Sequence, residues 1–243
     1  MRTLIISDIH ANLTALNTVL KDAQPFDQVW CLGDVVGYGP DPNECIECVQ
    51  TLPGLVCVKG NHDAAILGEI DVQTFNYEAR ASLKWLESNL SSDNRRWLET
   101  LPERETFENL TLVHGSPRNP IWEYVMDVRV ALANMTTFDT QICLIGHTHI
   151  PSVFLMDGGS ENSMRLFNMI PAEPFKIIDR AIINPGSVGQ PRDYDPRASY
   201  IIYDDDTDQW TLNRVAYNIP EVQQRILAAG LPTRHALRLE AGW

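Results

Sequence analysis

Five of the six histidines stand directly beyond the C-terminal end of a short apolar run, and this placement constrains the fold more than any other feature. Asp8-Ile9-His10 follows Leu4-Ile5-Ile6, and Gly33-Asp34 follows Val29-Trp30-Cys31-Leu32. Gly60-Asn61-His62-Asp63 follows Leu55-Val56-Cys57-Val58, and His114-Gly115 follows Leu110-Thr111-Leu112-Val113. Gly146-His147-Thr148-His149 follows Ile142-Cys143-Leu144-Ile145. Runs of this length and composition read as buried strands. In an open α/β sheet, ligands and catalysis collect beyond the carboxyl ends of the strands. Only His235, in what reads as a polar tail, falls outside the pattern.

Between the first runs the periodicity is helical. Asn12 to Ala23 repeats Leu13, Leu16, Val19 and Leu20. Asn43 to Leu52 reads as a short helix capped by Asn43, with Thr74 to Leu90 and Ser92 to Leu101 as two more. This βαβαβ order predicts a parallel sheet with helices against it. From residue 104 strands dominate. Thr106-Phe107 and Leu110 to Val113 form a hairpin across Glu108-Asn109. Val128 to Met135 reads as a helix. Gln141–Ile145, Ser152–Met156, Met164–Asn168, Ala181–Ile183, Ser199–Tyr203 and Trp210–Val215 read as strands, and Pro220–Ala229 as a last helix. No linker divides the chain, so residues 1–243 are expected to form one domain with two sheets, with a variable insertion around 157–175.

Composition limits the function. With 243 residues, 44% of them hydrophobic, the chain can bury a large core without disulfides. A net charge of -13 opposes binding to long nucleic acids, whose affinity rests on phosphate neutralisation. No apolar run approaches the roughly 20 residues that a membrane helix needs. The five cysteines lie mostly in apolar runs and no secretory signal is apparent, so reduced thiols in a cytoplasmic protein are expected. Cys45-x-x-Cys48 lies in a helix with no second pair to complete a zinc site.

Gathering this many polar groups at one sheet edge is costly unless something pairs them all, and a cation does so. Asp8, His10, Asp34, Asn61, His114, His147 and His149 supply oxygen and nitrogen donors and no thiolate, which suits manganese, iron or zinc. One tetrahedral metal would leave three of the seven idle. Two metals sharing a bridging carboxylate use them all.

These motifs resemble the calcineurin-like metallophosphoesterases. The family order of D-x-H, G-D, G-N-H-D/E, H and G-H-x-H stands here as Asp8-Ile9-His10, Gly33-Asp34, Gly60-Asn61-His62-Asp63, His114-Gly115 and Gly146-His147-Thr148-His149. Asn184-Pro185-Gly186-Ser187-Val188-Gly189-Gln190-Pro191-Arg192 is similar to the prokaryotic branch of small phosphodiesterase-like and phosphatase-like members. The resemblance implies an α/β fold, a four-layer α/β/β/α sandwich of two mixed β-sheets flanked by helices. It implies one metal on Asp8, His10, Asp34 and His149, and another on Asp34, Asn61, His114 and His147. His62 is then a catalytic residue that faces the substrate and stabilises or protonates the leaving group, as an imidazolium a contribution of about 100- to 10,000-fold, with a supporting hydrogen bond to a ligand as the other reading. Asp63 is an orienting residue.

The implied function is hydrolysis of a small phosphomonoester or phosphodiester by metal-bound hydroxide, with two divalent ions as cofactor. Manganese leads, with iron, zinc or nickel as alternatives. Formal charges leave such a cluster at about +2, so an acidic chain still holds a positive hole. Arg118, Asn12 and Tyr38 are expected to contact substrate, with helix capping the other reading for Asn12; Arg192 is read as structural. Where phosphoprotein phosphatases carry an acidic-arginine loop, this chain has Val35-Val36-Gly37-Tyr38-Gly39, which sets it apart from them. The alternative is a non-catalytic scaffold reusing the fold. Members of that kind lose a ligand or the G-N-H histidine, and this chain keeps both. An oligomer through residues 120–126 is an open reading, with core packing of that stretch the default.

Overall fold

Alternation along the first strand sets the layers. In β1 (Arg2–Ile6), Leu4 and Ile6 enter a core shared with helices, while Ile5 enters a second core that lies between two sheets. Each fully buried Leu or Ile contributes about 1.5–3 kcal/mol. The same division recurs in β5 (Leu110–Val113). There Leu110 and Leu112 face the inter-sheet core, and Val113 joins a third core with Ala131 and Met135.

The computed structural model describes residues 1–158 and 163–243. After β1 come α1 (Leu13–Asp22), β2 (Gln28–Cys31), α2 (Pro42–Gln50), β3 (Val56–Cys57) and α3 (Asn61–Leu67). A 3-10 turn at Val72–Thr74 leads to α4 (Tyr77–Asn89) and α5 (Ser92–Thr100). The second half runs β4 (Arg104–Phe107), β5, α6 (Val128–Asn134), β6 (Ile142–Leu144), β7 (Ser152–Met156), β8 (Met164–Phe167), β9 (Pro174–Phe175) and β10 (Ala181–Asn184). It closes with β11 (Ala198–Asp204), β12 (Gln209–Val215), α7 (Ile219–Ala228) and α8 (Thr233–Ala241).

One sheet has the order β3-β2-β1-β11-β12-β9 and the other β4-β5-β6-β10-β7-β8. β1, β2 and β3 are mutually parallel, and so are β5, β6 and β10. The outer strands are antiparallel, which makes both sheets mixed. The two sheets face each other across Ile5, Trp30, Leu112, Leu144 and Ile201, with helices outside, as the four-layer expectation requires. The carboxyl ends of both parallel trios therefore open at one place. No helix among the described residues is long and apolar enough to cross a membrane.

Two expectations change. Asn43 does not cap α2: Asp41 holds that position and Pro42 starts the helix, where its fixed φ suits the first turn. Asn43 instead accepts from Ser91 N at 2.9 Å and donates to Asn89 O at 2.8 Å, tying α2 to the α4–α5 junction. The tail after α7 is not irregular: α8 buries His235, Ala236 and Leu239 against α7 and the main core. The stretch after β3 is helical from Asn61 onward. Of the segment 157–175, residues 159–162 lie outside the described residues; the rest includes β8 and β9.

Candidate active site

Where β1, β2 and β6 end, the backbone turns sharply. Asp8, His10, Asp34, His147 and His149 all have φ between 49° and 65°, in the left-handed region. Asp and His tolerate that region better than branched residues, but each such residue costs on the order of 1–3 kcal/mol and persists only where surroundings enforce it. The enforcement is visible: Asp8 N donates to Gly33 O at 3.0 Å and His10 N to Asp34 O at 2.9 Å, locking two strand ends together. Gly60 is required at the third end, because a methyl group there would overlap the Asp34 carboxylate and amide.

These turns gather seven buried donors: Asp8, His10 and His149 cluster on one side, Asp34, His114 and His147 with Asn61 on the other, and His10 approaches Asp34 between them. In the first, His149 Nε2 lies 3.1 Å from His10 Nε2 and 3.2 Å from Asp8 Oδ1, and His10 Nε2 lies 3.6 Å from Asp34 Oδ2. In the second, His114 Nε2 lies 3.0 Å from Asn61 Oδ1, 3.2 Å from His147 Nδ1 and 3.3 Å from Asp34 Oδ2. The His62 ring also comes within 4.8 Å of His10 and Asp34.

Each of the four histidines spends its other ring nitrogen on a main-chain carbonyl. His10 Nδ1 donates to Val36 O at 3.1 Å, His149 Nδ1 to Gln190 O at 2.6 Å, His114 Nδ1 to Leu32 O at 2.8 Å and His147 Nε2 to Trp122 O at 3.1 Å. A carbonyl only accepts, so these nitrogens carry the hydrogens. The remaining lone pairs point at each other and at carboxylate oxygens, and Asp8 Oδ1 is buried with no hydrogen-bond partner. Electron pairs facing electron pairs repel unless a positive charge lies among them. This is the arrangement by which metal-binding histidines are oriented. The oxygen and nitrogen donor set fits divalent cations.

The titration behaviour makes the same demand. Burial pushes Asp8 up to about 7. Burial opposes the charge on Asp34, yet His114 and His62 hold its carboxyl well below the usual range. Burial lowers His114, but the Asp34 carboxylate outweighs it and takes the imidazole up to about 9. Without metal, a proton on His114 supplies the missing positive charge.

His62 sits in the first turn of α3, where its amide donates to Asp34 Oδ1 at 2.8 Å. Its ring packs between Tyr38 and Phe75, with centroids 4.4 and 5.0 Å away, and its buried Nδ1 has no partner. Burial pushes His62 down to about 4 despite the pull of Asp34, so the free site holds a neutral imidazole at pH 7 rather than a resident imidazolium. Asp63 orients the β2 end: its carboxylate accepts from Asp34 N at 2.8 Å, Gly60 N at 2.9 Å and Val36 N at 3.2 Å.

A cavity of about 400 Å³ opens over these groups, lined by Asp34, Asn61, His62, His147 and His149, by Tyr38, Phe75, Trp122 and Tyr124, and by Arg192 and Arg238. A cavity of about 390 Å³ elsewhere, around Phe154 and Leu212, holds none of the seven donors. Tyr38 lines the cavity. Arg118 does not: its guanidinium forks onto Glu123, with Nε 2.9 Å from both carboxylate oxygens. Asn12 does not line it either; its Oδ1 caps α1 at Ala15 N, 3.0 Å away, and its Nδ2 donates to Gly189 O. Glu123, five residues after Arg118, was the available sign of that pairing. Trp122 and Tyr124 were missed as wall residues, and Arg238 was hidden in the supposed tail. Tyr124 stacks on the His147 ring with centroids 3.9 Å apart.

The calcineurin-like phosphoesterase superfamily domain matches residues 1–208. The chain belongs to that superfamily. This calcineurin-like phosphoesterase is therefore a hydrolase of the metal-dependent phosphoesterase class. It is 35% identical to an uncharacterized protein of Methanocaldococcus jannaschii over 98% of this chain and 97% of that one. It is similar to a crystal structure of a metallophosphoesterase from Sphaerobacter thermophilus, with a TM-score of 0.91 and 45% identity over 100% of this chain and 99% of the other. A symmetrical bis(5'-nucleosyl)-tetraphosphatase of Pseudomonas fluorescens is 29% identical over 57% of this phosphoesterase and 53% of its own length.

Proposed function

We propose that the chain hydrolyses a small phosphate ester, mono- or diester, at a two-cation centre held by Asp8, His10, Asp34 and His149 on one side and Asp34, Asn61, His114 and His147 on the other. The observation that carries this reading is the inward-facing set of four imidazole lone pairs, each fixed by a hydrogen bond from the opposite ring nitrogen to a main-chain carbonyl. Divalent cations held there, manganese foremost, would polarise the phosphate ester and acidify water.

The protein's own groups do the rest. Asp34 would serve both donor groups, its Oδ2 facing His10 and His114. Tyr38 and Phe75 hold the His62 ring against the cavity and keep water from it. His62 is neutral in the free site, and a phosphate anion beside it favours its charged form. His62 thus takes up its proton with the substrate and delivers it to the departing oxygen. The complete donor set and the retained His62 weigh against a non-catalytic scaffold. The five free cysteines support a reducing compartment, the cytoplasm.

The test is a hydrolysis panel with manganese, iron, zinc and nickel. It compares p-nitrophenyl phosphate, its bis ester, nucleotides and diadenosine tetraphosphate, the last chosen for the tetraphosphatase relatives. Metal-dependent turnover is expected, with His62→Ala lowering kcat by about 100- to 10,000-fold while metal stays bound. No turnover with any metal and substrate overturns the reading. Normal turnover by His62→Ala removes His62 from the chemistry.

A further inference from the structure

Arg192 and Arg238 are the cationic side chains on the wall of the cavity. They reach it from separate elements. The loop after β10 is laced to the donor strands, with Val188 N donating to Ser7 O and Gly189 N to Asp8 O, both at 3.0 Å, and Arg192 N to His149 O at 3.3 Å. Arg192 donates from Nη2 to Gln190 Oε1 at 2.9 Å, while its Nε is buried without a partner. Arg238 comes from α8, beyond the residues matched by the superfamily domain. Its Nε donates to a main-chain oxygen of Trp243, the last residue of the sequence, at 2.6 Å. His235, three residues earlier on the same helix, packs on Tyr38 with ring centroids 4.8 Å apart and seats α8 against the site.

The chain has 32 acidic and 19 basic residues, so acceptors are plentiful. Neighbouring arginines take them: Arg197 pairs with Asp195, Arg214 with Asp193, Arg225 with Asp41 and Arg234 with Glu78. Among the described residues, neither Arg192 nor Arg238 has a side-chain carboxylate within 4.0 Å. Arg104 and Arg180 also go without a carboxylate and turn to main-chain carbonyls, but Arg192 and Arg238 share one cavity wall. Burial and the nearby Arg192 guanidinium push Arg238 down to about 10, so the pair sits together at a cost. Two cations with Asp8 and Asp34 already leave the centre at about +2, enough for one ester phosphate. The guanidiniums add further positive charge that one phosphate does not balance.

We propose that Arg192 and Arg238 form an anion subsite for a second phosphate group, so that the chain selects esters bearing a polyphosphate over esters with a single phosphate. The proposal rests on the reading of this cavity as the hydrolytic centre. Arginine suits the task because its planar fork meets phosphate oxygens two at a time.

The experiment uses the full chain with Arg238→Met, Arg238→Lys and Arg192→Met. The ratio of kcat/KM for diadenosine tetraphosphate to that for bis(p-nitrophenyl) phosphate is measured with manganese. Binding of inorganic tripolyphosphate is measured by calorimetry in metal-free buffer. Each Met variant is expected to lower the ratio and the tripolyphosphate affinity by about ten- to a hundredfold, mostly through KM, as fits loss of a charge-assisted hydrogen bond. Arg238→Lys, which keeps the charge and the seat of α8, is expected to fall between Met variant and parent. An unchanged ratio together with unchanged tripolyphosphate affinity overturns the subsite. Arginine-dependent tripolyphosphate binding by a parent chain that hydrolyses neither ester leaves the subsite standing and overturns the hydrolytic reading instead.

Discussion

Asp34→Asn separates a two-cation centre from a one-cation centre. Asp34 Oδ2 lies 3.3 Å from His114 Nε2 and 3.6 Å from His10 Nε2, so this carboxylate belongs to both donor groups, whereas Asp8 belongs to one. Asparagine keeps the size and the acceptor for the His62 amide, and removes only the charge. A cation that binds the folded chain alone stabilises it by about 2.7 kcal/mol at a hundredfold excess over its Kd. Two cations give about 5 kcal/mol. For a domain of about this size, 1 kcal/mol moves Tm by about 2–4 °C. Saturating manganese should therefore raise the parent Tm by about 10–20 °C. Asp8→Asn should lose about half of that rise and Asp34→Asn nearly all of it. Thermal melts across a manganese titration, with elemental analysis of metal retained per chain, read both quantities. A parent that saturates at one equivalent refutes the shared-carboxylate reading, as does an Asp34→Asn chain with two equivalents and an undiminished rise.

Three other outcomes follow from the same geometry. Metal must displace the proton that Asp34 holds on His114 up to about pH 9, so the apparent metal affinity should climb about tenfold per unit from pH 7 to 9 and then level off; a flat calorimetric pH series contradicts this. Gly37→Ala should cut kcat at least tenfold with both metals retained, because Gly37 has φ 96° and a methyl there would stand 2.5 Å from His62 Nδ1; unchanged kcat contradicts it. Asp63→Ala strands the buried amides of Asp34, Gly60 and Val36. At about 1–3 kcal/mol for each lost acceptor, it should lower Tm by about 10–20 °C, and a loss of only a degree or two would show that water replaces the carboxylate.

Much of this was legible in the sequence because strand and site share one signal. An apolar run such as Leu4 to Ile6 is read by its length, and the donor that follows it marks the sheet edge. The seven donors stand out by their place beyond the strand ends, whereas their division between two metals is what the family resemblance implies. The wall of the cavity has no such signature. Arg192 and Arg238 meet only through the packing of α8, and no periodicity relates residues so far apart. In α8 itself, Ala236 and Leu239 give one apolar contact per turn among Arg234, Arg238 and Glu240, too thin a stripe to announce a helix. Asn43 misled because Asn before an apolar period is a good cap, while Pro42 had already fixed the helix start one residue earlier. Arg118 misled because its sequence neighbour His114 is in the site, although its guanidinium turns to Glu123.

The carbonyls of Val36, Leu32, Trp122 and Gln190 hold the imidazoles by atoms that every residue owns. The outer support of the centre consequently has no side-chain alphabet. Drift at those four positions is felt only when it bends the chain's path, and a lesion that silences the enzyme can fall on a residue whose side chain never faces the reacting ester.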